Sequence, residues 1–286
     1  MKLSEIKQVL AERGVLLTKS LGQNFLHDGN QLRRILQAAQ LSKEDNVLEV
    51  GPGLGPLTEL LVKEAGSVLA IEKDARLVAI LREHFRENLA SEQSNGGRLS
   101  LVQADALEYL SGQHQDWTGW KLVANLPYAV ASPILVGLAW KQPGPDRLVA
   151  TLQLEVAHRL MSKPGDRDYG VLTLLVQLHY KPLDWFKIPA SCFFPEPDVD
   201  SACVALVRRS EPLLSSERRE TFATIVKRSF SQRRKMMAKL LRADWPADTV
   251  AQSFAELGLP LQTRGEAVSL DQFISLTNFL HERRNF

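Results

Sequence analysis

From Asn46 to Arg208 the chain alternates between two hydrophobic periods, and no other feature limits its possible folds as strongly. Seven short apolar runs read as strands: VLEV (47–50), VLAI (68–71), LSLV (99–102), KLVA (121–124), RLVATLQ (147–153), LDWFKI (183–188) and ACVALV (202–207). Helical patterns such as LGPLTELLVKE and DARLVAILREHFREN separate the early ones. A run that is apolar on both faces needs cover on both sides, and a helical crossover between successive runs makes them parallel. The pattern predicts an α/β domain over residues 1–208 built on a seven-stranded, mostly parallel sheet, with a helical extension over about 1–40. The last two runs lie close together in sequence, which suggests an antiparallel pair at one edge. The stretch SEQSNGG (91–97) reads as the loop before the third run.

The pattern changes after Arg209. Ser210-Glu211-Pro212 reads as a linker, and only helical periodicity follows, broken near Pro246 and Pro260. Residues 209–286 are therefore expected to form a small all-helical domain. Between residues 217 and 242 nine Lys or Arg side chains face only Glu217 and Glu220. That segment carries +7 and the rest of the chain −5. Positive charge gathered locally suits a polyanion, with Arg228, Arg233, Arg234 and Lys235 on a helix face as candidate contacts to it; a solvated helix face is the plain alternative.

Composition removes several classes. No window approaches the roughly 20 apolar residues of a membrane span, and the mixed charges of MKLSEIKQVLAERG are unlike a secretory signal. Cys192 and Cys203 form no CxxC pair, which suits free thiols in a reducing cytosol. The six histidines lack HExxH-like spacing, so no metal site is expected.

The chemistry gathers at strand ends. VLEVGPGLGPLTELL (47–61) is a strand, a glycine turn and a helix, with Gly51 and Gly53 permitting close backbone approach to a ligand. Its G-x-G-x-G spacing differs from the dinucleotide fingerprint, and taken alone it fits an ordinary tight βα turn equally well. Glu72 ends the next run, 21 positions beyond Gly51, where an acid can bind both hydroxyls of a ribose. Asp105 follows the third run, and Asn125 ends the fourth. Four parallel strand ends open on one edge, the usual ligand crevice. With no phosphate-binding lysine, the set suits S-adenosylmethionine: adenine, ribose and an amino-acid tail.

Asn125-Leu126-Pro127-Tyr128 then has a chemical reading. An adenine amine is a poor nucleophile because its lone pair is delocalised into the ring. Hydrogen bonds from it to the Asn125 side-chain oxygen and the Leu126 carbonyl can pull the nitrogen towards a pyramidal shape. Pro127 holds Leu126 extended, and Tyr128 offers a face for stacking. No dedicated base is required, since the proton leaves once the nitrogen is cationic.

These motifs resemble the ribosomal RNA adenine dimethyltransferases of the small subunit over nearly the whole chain. The matching segments are LGQNFLHD (21–28), LEVGPGLGPLT (49–58), IEKDARL (71–77), QADAL (103–107), NLPYAVASPIL (125–135), LQLEVAHRL (152–160), FFPEPDVDSA (193–202), SFSQRRKMM (229–237) and LDQFISLTN (270–278). The resemblance implies a Rossmann-like class I S-adenosylmethionine-dependent methyltransferase fold with a C-terminal helical domain. It implies that Asn24, Leu26, Gly51, Glu72, Asp105 and Asn125 contact the cofactor, and that Phe193 covers the target base opposite Tyr128. From the residues alone, QNFLHD reads as a loop leading into a helix capped by Asp28. The implied reaction dimethylates two adjacent adenines in a hairpin loop near the 3′ end of 16S-type RNA. The substrate would be a 30S assembly particle in the cytoplasm and the enzyme a monomer, with Erm-like methylation of large-subunit RNA or a non-catalytic assembly role as alternatives. Two positions depart from the family pattern: Asp198 stands where a basic residue is usual, and Leu154 where a polar or basic one is.

Overall fold

The structure is a computed structural model that describes residues 1–15, 17, 23–89, 98–112, 115–232 and 234–283. The expected loop at 91–97, the candidate Arg233 and the first two residues of LGQNFLHD lie outside the described residues. The strands are β1 (Phe25–Leu26), β2 (Asn46–Val50), β3 (Ser67–Glu72), β4 (Leu99–Gln103), β5 (Trp120–Asn125), β6 (Arg147–Gln153), β7 (Tyr180–Ile188), β8 (Phe193–Phe194) and β9 (Ser201–Arg208). The helices are α1 (Leu3–Glu12), α2 (Gly29–Ala39), α3 (Thr58–Glu64), α4 (Ala75–His84), α5 (Ala106–Gly112), α6 (Ala131–Trp140), α7 (Leu154–Met161), α8 (Val171–Gln177), α9 (Arg219–Ser229), α10 (Met237–Leu241), α11 (Ala247–Glu256) and α12 (Leu270–His281). None of the described helices is long and apolar enough to cross a membrane.

All seven strand candidates enter one sheet, in the order β4-β3-β2-β5-β6-β9-β7. Strands β4, β3, β2, β5 and β6 pair in parallel, and β9 runs antiparallel to β6. The last two candidates are edge neighbours, but β9 is also bonded to β6 along its length, from Ser201 opposite Gln153 to Val207 opposite Arg147. The apolar runs are explained by burial: Val47, Leu48, Ala70, Leu122, Val123, Leu148 and Val149 are fully covered. Covering each such Val or Leu contributes about 1.5–3 kcal/mol. Helix α2 supplies part of that cover through Leu32, Ile35 and Ala39, spaced three and four residues apart on one face.

Two compact units make up the chain, one of residues 1–157 and 182–208, the other of 158–181 and 209–286. The second holds its own aromatic core: Phe222, Phe254 and Phe273 are fully buried, and Phe230 stacks on Phe273 at 6.2 Å between centroids. Trp245 Nε1 donates to the Leu280 carbonyl at 3.1 Å, which docks α12.

Two local expectations are corrected. Asp28 does cap α2, accepting from the N–H groups of Asn30 and Gln31, but the residues before it are not a simple loop. Phe25 and Leu26 pair antiparallel with Phe194 and Phe193. A ladder two residues long has no periodicity to read. The basic segment is likewise not one helix face. Helix α9 ends at Ser229, where the Ser229 and Ser231 hydroxyls donate back to the carbonyls of Ile225 and Arg228. Such side chains compete for backbone acceptors and favour helix ends. Arg234 and Lys235 consequently stand exposed in the loop before α10.

One residue of β2 breaks the apolar rule. Glu49 is only 1% exposed, and its Oε2 has no hydrogen-bond partner among the described residues. Burial pushes its carboxyl up to about 8, and the charge of Glu72 on the neighbouring strand adds to the shift. Between the ordinary value of 4.5 and about 8, the folded chain holds a proton there that the unfolded chain has lost. Stability therefore falls with rising pH across that window, by about 1.4 kcal/mol per pH unit from this group. Glu49→Gln should flatten that slope, most visibly as a gain in urea-unfolding stability towards the upper end of the window. Parallel pH–stability curves for parent and variant would show that Glu49 ionises normally.

Candidate active site

Strand order reverses between β2 and β5: the chain moves outward through β3 and β4 on one side, and through β6 on the other. Crevices form outside the carboxyl ends of strands at such a switch. A cavity opens there, and its wall includes Asn24, Leu26, Glu49, Gly51, Gly53, Glu72, Asp105, Asn125, Leu126, Pro127 and Tyr128. Parallel register explains the convergence. Val50 lies opposite Ile71, and Glu72 opposite Gln103, so successive strands finish nearly level.

The glycine turn is shaped by what lies against it. Gly51 and Gly53 have φ of 71° and 63°, a region that costs most residues roughly 1–2 kcal/mol. A Cβ on Gly51 would stand 3.1 Å from Pro127 Cγ, and one on Gly53 2.8 Å from the Phe25 ring. Pro127 thus packs on the glycine turn as well as restricting Leu126.

Glu72 ties this turn to the next strand. Its Oε2 accepts from Gly53 N at 3.2 Å and its Oε1 from Asp74 N at 2.9 Å. Burial raises its carboxyl above the ordinary value, while these backbone donors oppose the rise. Asp74 caps α4, accepts from Gln23 Nε2 at 3.0 Å and pairs with Arg76, which holds its carboxyl down at about 2. From the same loop, Lys73 Nζ reaches to 2.8 Å from Asp105 Oδ2, on the loop after β4, and holds that carboxyl below its usual range. Asp105 Oδ1 accepts from Leu107 N at 2.8 Å at the start of α5.

At the end of β5, Asn125 Nδ2 donates to the Asn24 carbonyl at 2.9 Å. That bond fixes which end of the amide is which. Asn125 Oδ1 is left buried, with no hydrogen-bond partner among the described residues. A buried acceptor without a partner costs about 1–3 kcal/mol, so its persistence points to a ligand donor. Leu126 N donates to the Thr151 carbonyl at 3.0 Å, continuing the β5–β6 pairing into the motif. Tyr128 is partly buried, and its hydroxyl lies 2.6 Å from Ser201 Oγ.

The cavity gathers every candidate cofactor contact and all four residues of the Asn125–Tyr128 motif. Phe193 is not among them: it is 2% exposed, paired with Leu26 and packed in the hydrophobic core. Arg228 is committed to Asp244, with Nε at 2.6 Å and Nη2 at 3.0 Å from the two carboxylate oxygens. Three contributors escaped the sequence reading: Glu49, Lys73 and Ser201. Glu49 did carry a signal, a lone carboxylate in a run otherwise apolar on both faces. Lys73 and Ser201 carried none, since only the fold supplies their partners.

The model of the family described as "Ribosomal RNA adenine dimethylase" matches residues 15–282. A protein of Listeria welshimeri named "Ribosomal RNA small subunit methyltransferase A" is 38% identical over 279 residues, covering 96% of this chain and 94% of its own. One of the same name from Geobacillus thermodenitrificans is 36% identical over 279 residues, with the same coverage. Among solved structures, a dimethyladenosine transferase from Plasmodium falciparum superposes with a TM-score of 0.77 at 23% identity, covering 91% of this chain and 98% of that one. The 23S rRNA methyltransferase ErmE superposes with a TM-score of 0.68 at 27% identity, covering 90% and 99%. With its α/β methyltransferase architecture and a family match across nearly its whole length, the chain belongs to the ribosomal RNA adenine dimethylase family.

Proposed function

We propose that this protein transfers methyl groups from S-adenosylmethionine to the N6 amines of two adjacent adenines in a hairpin loop near the 3′ end of small-subunit ribosomal RNA. The single observation that carries the chemistry is Asn125 Oδ1 at the end of β5, buried and without a hydrogen-bond partner among the described residues. The full-length similarity to proteins named for the small subunit favours that RNA over the large-subunit RNA named for ErmE. A small-subunit assembly particle is the substrate, and the protein acts as a monomer in the cytoplasm.

The cavity residues fit the cofactor. Gly51 and Gly53 line the cavity in a turn that Pro127 and Phe25 press too closely to admit a Cβ, so backbone rather than side chain faces a ligand there. Glu72, steadied by two N–H donors, keeps acceptor capacity for ribose hydroxyls. Asn24, Leu26 and Asp105 line the same cavity and complete the contacts. S-adenosylmethionine supplies an electrophilic methyl carbon when bound.

The protein's task is to present the amine in line with that carbon. Asn125 Oδ1 and the Leu126 carbonyl accept the two N–H bonds of the amine and free its lone pair. Tyr128 carries the base on its ring face. The proton departs after the nitrogen has become cationic, so alignment does most of the work and no general base is needed. An unpaired loop base can reach such a cavity without paying to leave a helix. Phe193 can serve as a second ring only if it leaves the core it occupies here.

Asn125→Ala should reduce methyl transfer by about 100-fold or more, measured with labelled cofactor and purified small subunits, while subunit binding is retained. Full activity in that variant would overturn the acceptor role. Arg234 and Lys235 are exposed, as contacts to phosphates need to be. Arg234→Glu with Lys235→Glu should weaken RNA binding and make its log–log salt dependence shallower by roughly one and a half to two. An unchanged slope would mark that loop as merely solvated.

A further inference from the structure

We propose that Ser201 is a positioning residue for the stacking ring, holding Tyr128 in the one direction from which it can support a target base. The inference rests on the adenine methyl transfer proposed above. Ser201 opens β9 and is fully buried, with its Oγ 2.6 Å from the Tyr128 hydroxyl. The serine is an anchored post. It pairs with Gln153 across the antiparallel ladder, and Leu154 N donates to the carbonyl of the preceding Asp200 at 3.0 Å. The Asp200 carboxylate accepts from Ala190 N at 2.9 Å and pairs with Lys187 at 2.6 Å.

Tyr128 has no comparable support from its own backbone. It lies in the turn after β5, between Pro127 and α6, outside any strand or helix. A phenol oxygen sits on the long axis of its ring. A hydrogen bond there fixes where the far end of the ring points, and so selects one staggered χ1, while leaving the ring faces free for stacking. Without it the ring can swing between rotamers, and only the fraction in the supporting rotamer is competent. Burial also raises the Tyr128 pKa, keeping the hydroxyl neutral. The contact joins the Asn125–Tyr128 motif to the last residue of FFPEPDVDS, two segments far apart in sequence.

The test is a double-mutant cycle of Ser201→Ala and Tyr128→Phe, the latter keeping the ring and removing only the hydroxyl. Each single variant should lower kcat for methylation of small subunits about ten-fold. KM for the subunit, cofactor affinity by calorimetry and Tm should stay near the parent values. The double variant should be no slower than either single one, because both remove the same bond. Full kcat in Tyr128→Phe, or losses that multiply in the double variant, would overturn the tether, even if Ser201→Ala folds poorly. A parent protein that methylates no RNA would instead overturn the underlying function.

Discussion

The bond from Asn125 Nδ2 to the Asn24 carbonyl is the contact on which the arrangement of the candidate site depends. An amide has a donor end and an acceptor end, and rotation would exchange them. By accepting from the nitrogen, Asn24 turns the oxygen to a position where it has no hydrogen-bond partner among the described residues. The bond spans 101 residues of sequence. Next to Asn24, Phe25 and Leu26 are held by their pairing with Phe194 and Phe193. A two-residue ladder, negligible as a sheet, thus directly follows the residue that orients the amide at the end of β5.

The rest of the cavity is organised around carboxylates with different surroundings. Glu49 is buried and its ionisation is opposed; Glu72 is buried but receives backbone donors; Asp105 is paired with Lys73. Three acids within one wall would repel one another in the same state. Their environments separate them instead, leaving Asp105 ionised and Glu49 reluctant to ionise.

The basic segment shows how composition and structure divide the question of RNA binding. Its charge is real, but its residues have different tasks. Arg228 forms a two-bond pair with Asp244, and Arg218 donates to Asn278 and Glu282, so both contribute to holding the helical unit together. Arg234 and Lys235 are displayed on a loop because the serines around Phe230 end α9. Counting charges could not separate these tasks, because an ion pair depends on which residues the fold brings within reach.

The sequence by itself determined the sheet and the side of it that matters. The alternation of buried runs with helices requires a covered parallel sheet, and parallel strands deliver their last residues to one edge; Gly51, Glu72, Asp105 and Asn125 could be named on that ground. Asn24 and Leu26 could be named only through resemblance, since β1 is too short to have a period. Tertiary structure alone decided that Phe193 lies in the core, that Arg234 and Lys235 leave the helix, and that Ser201 meets Tyr128. The physical reason is common to all three. Hydrophobic periodicity reports which face of an element is buried, whereas a hydrogen-bond partner or a packing neighbour from a distant segment is set only when the chain has closed upon itself.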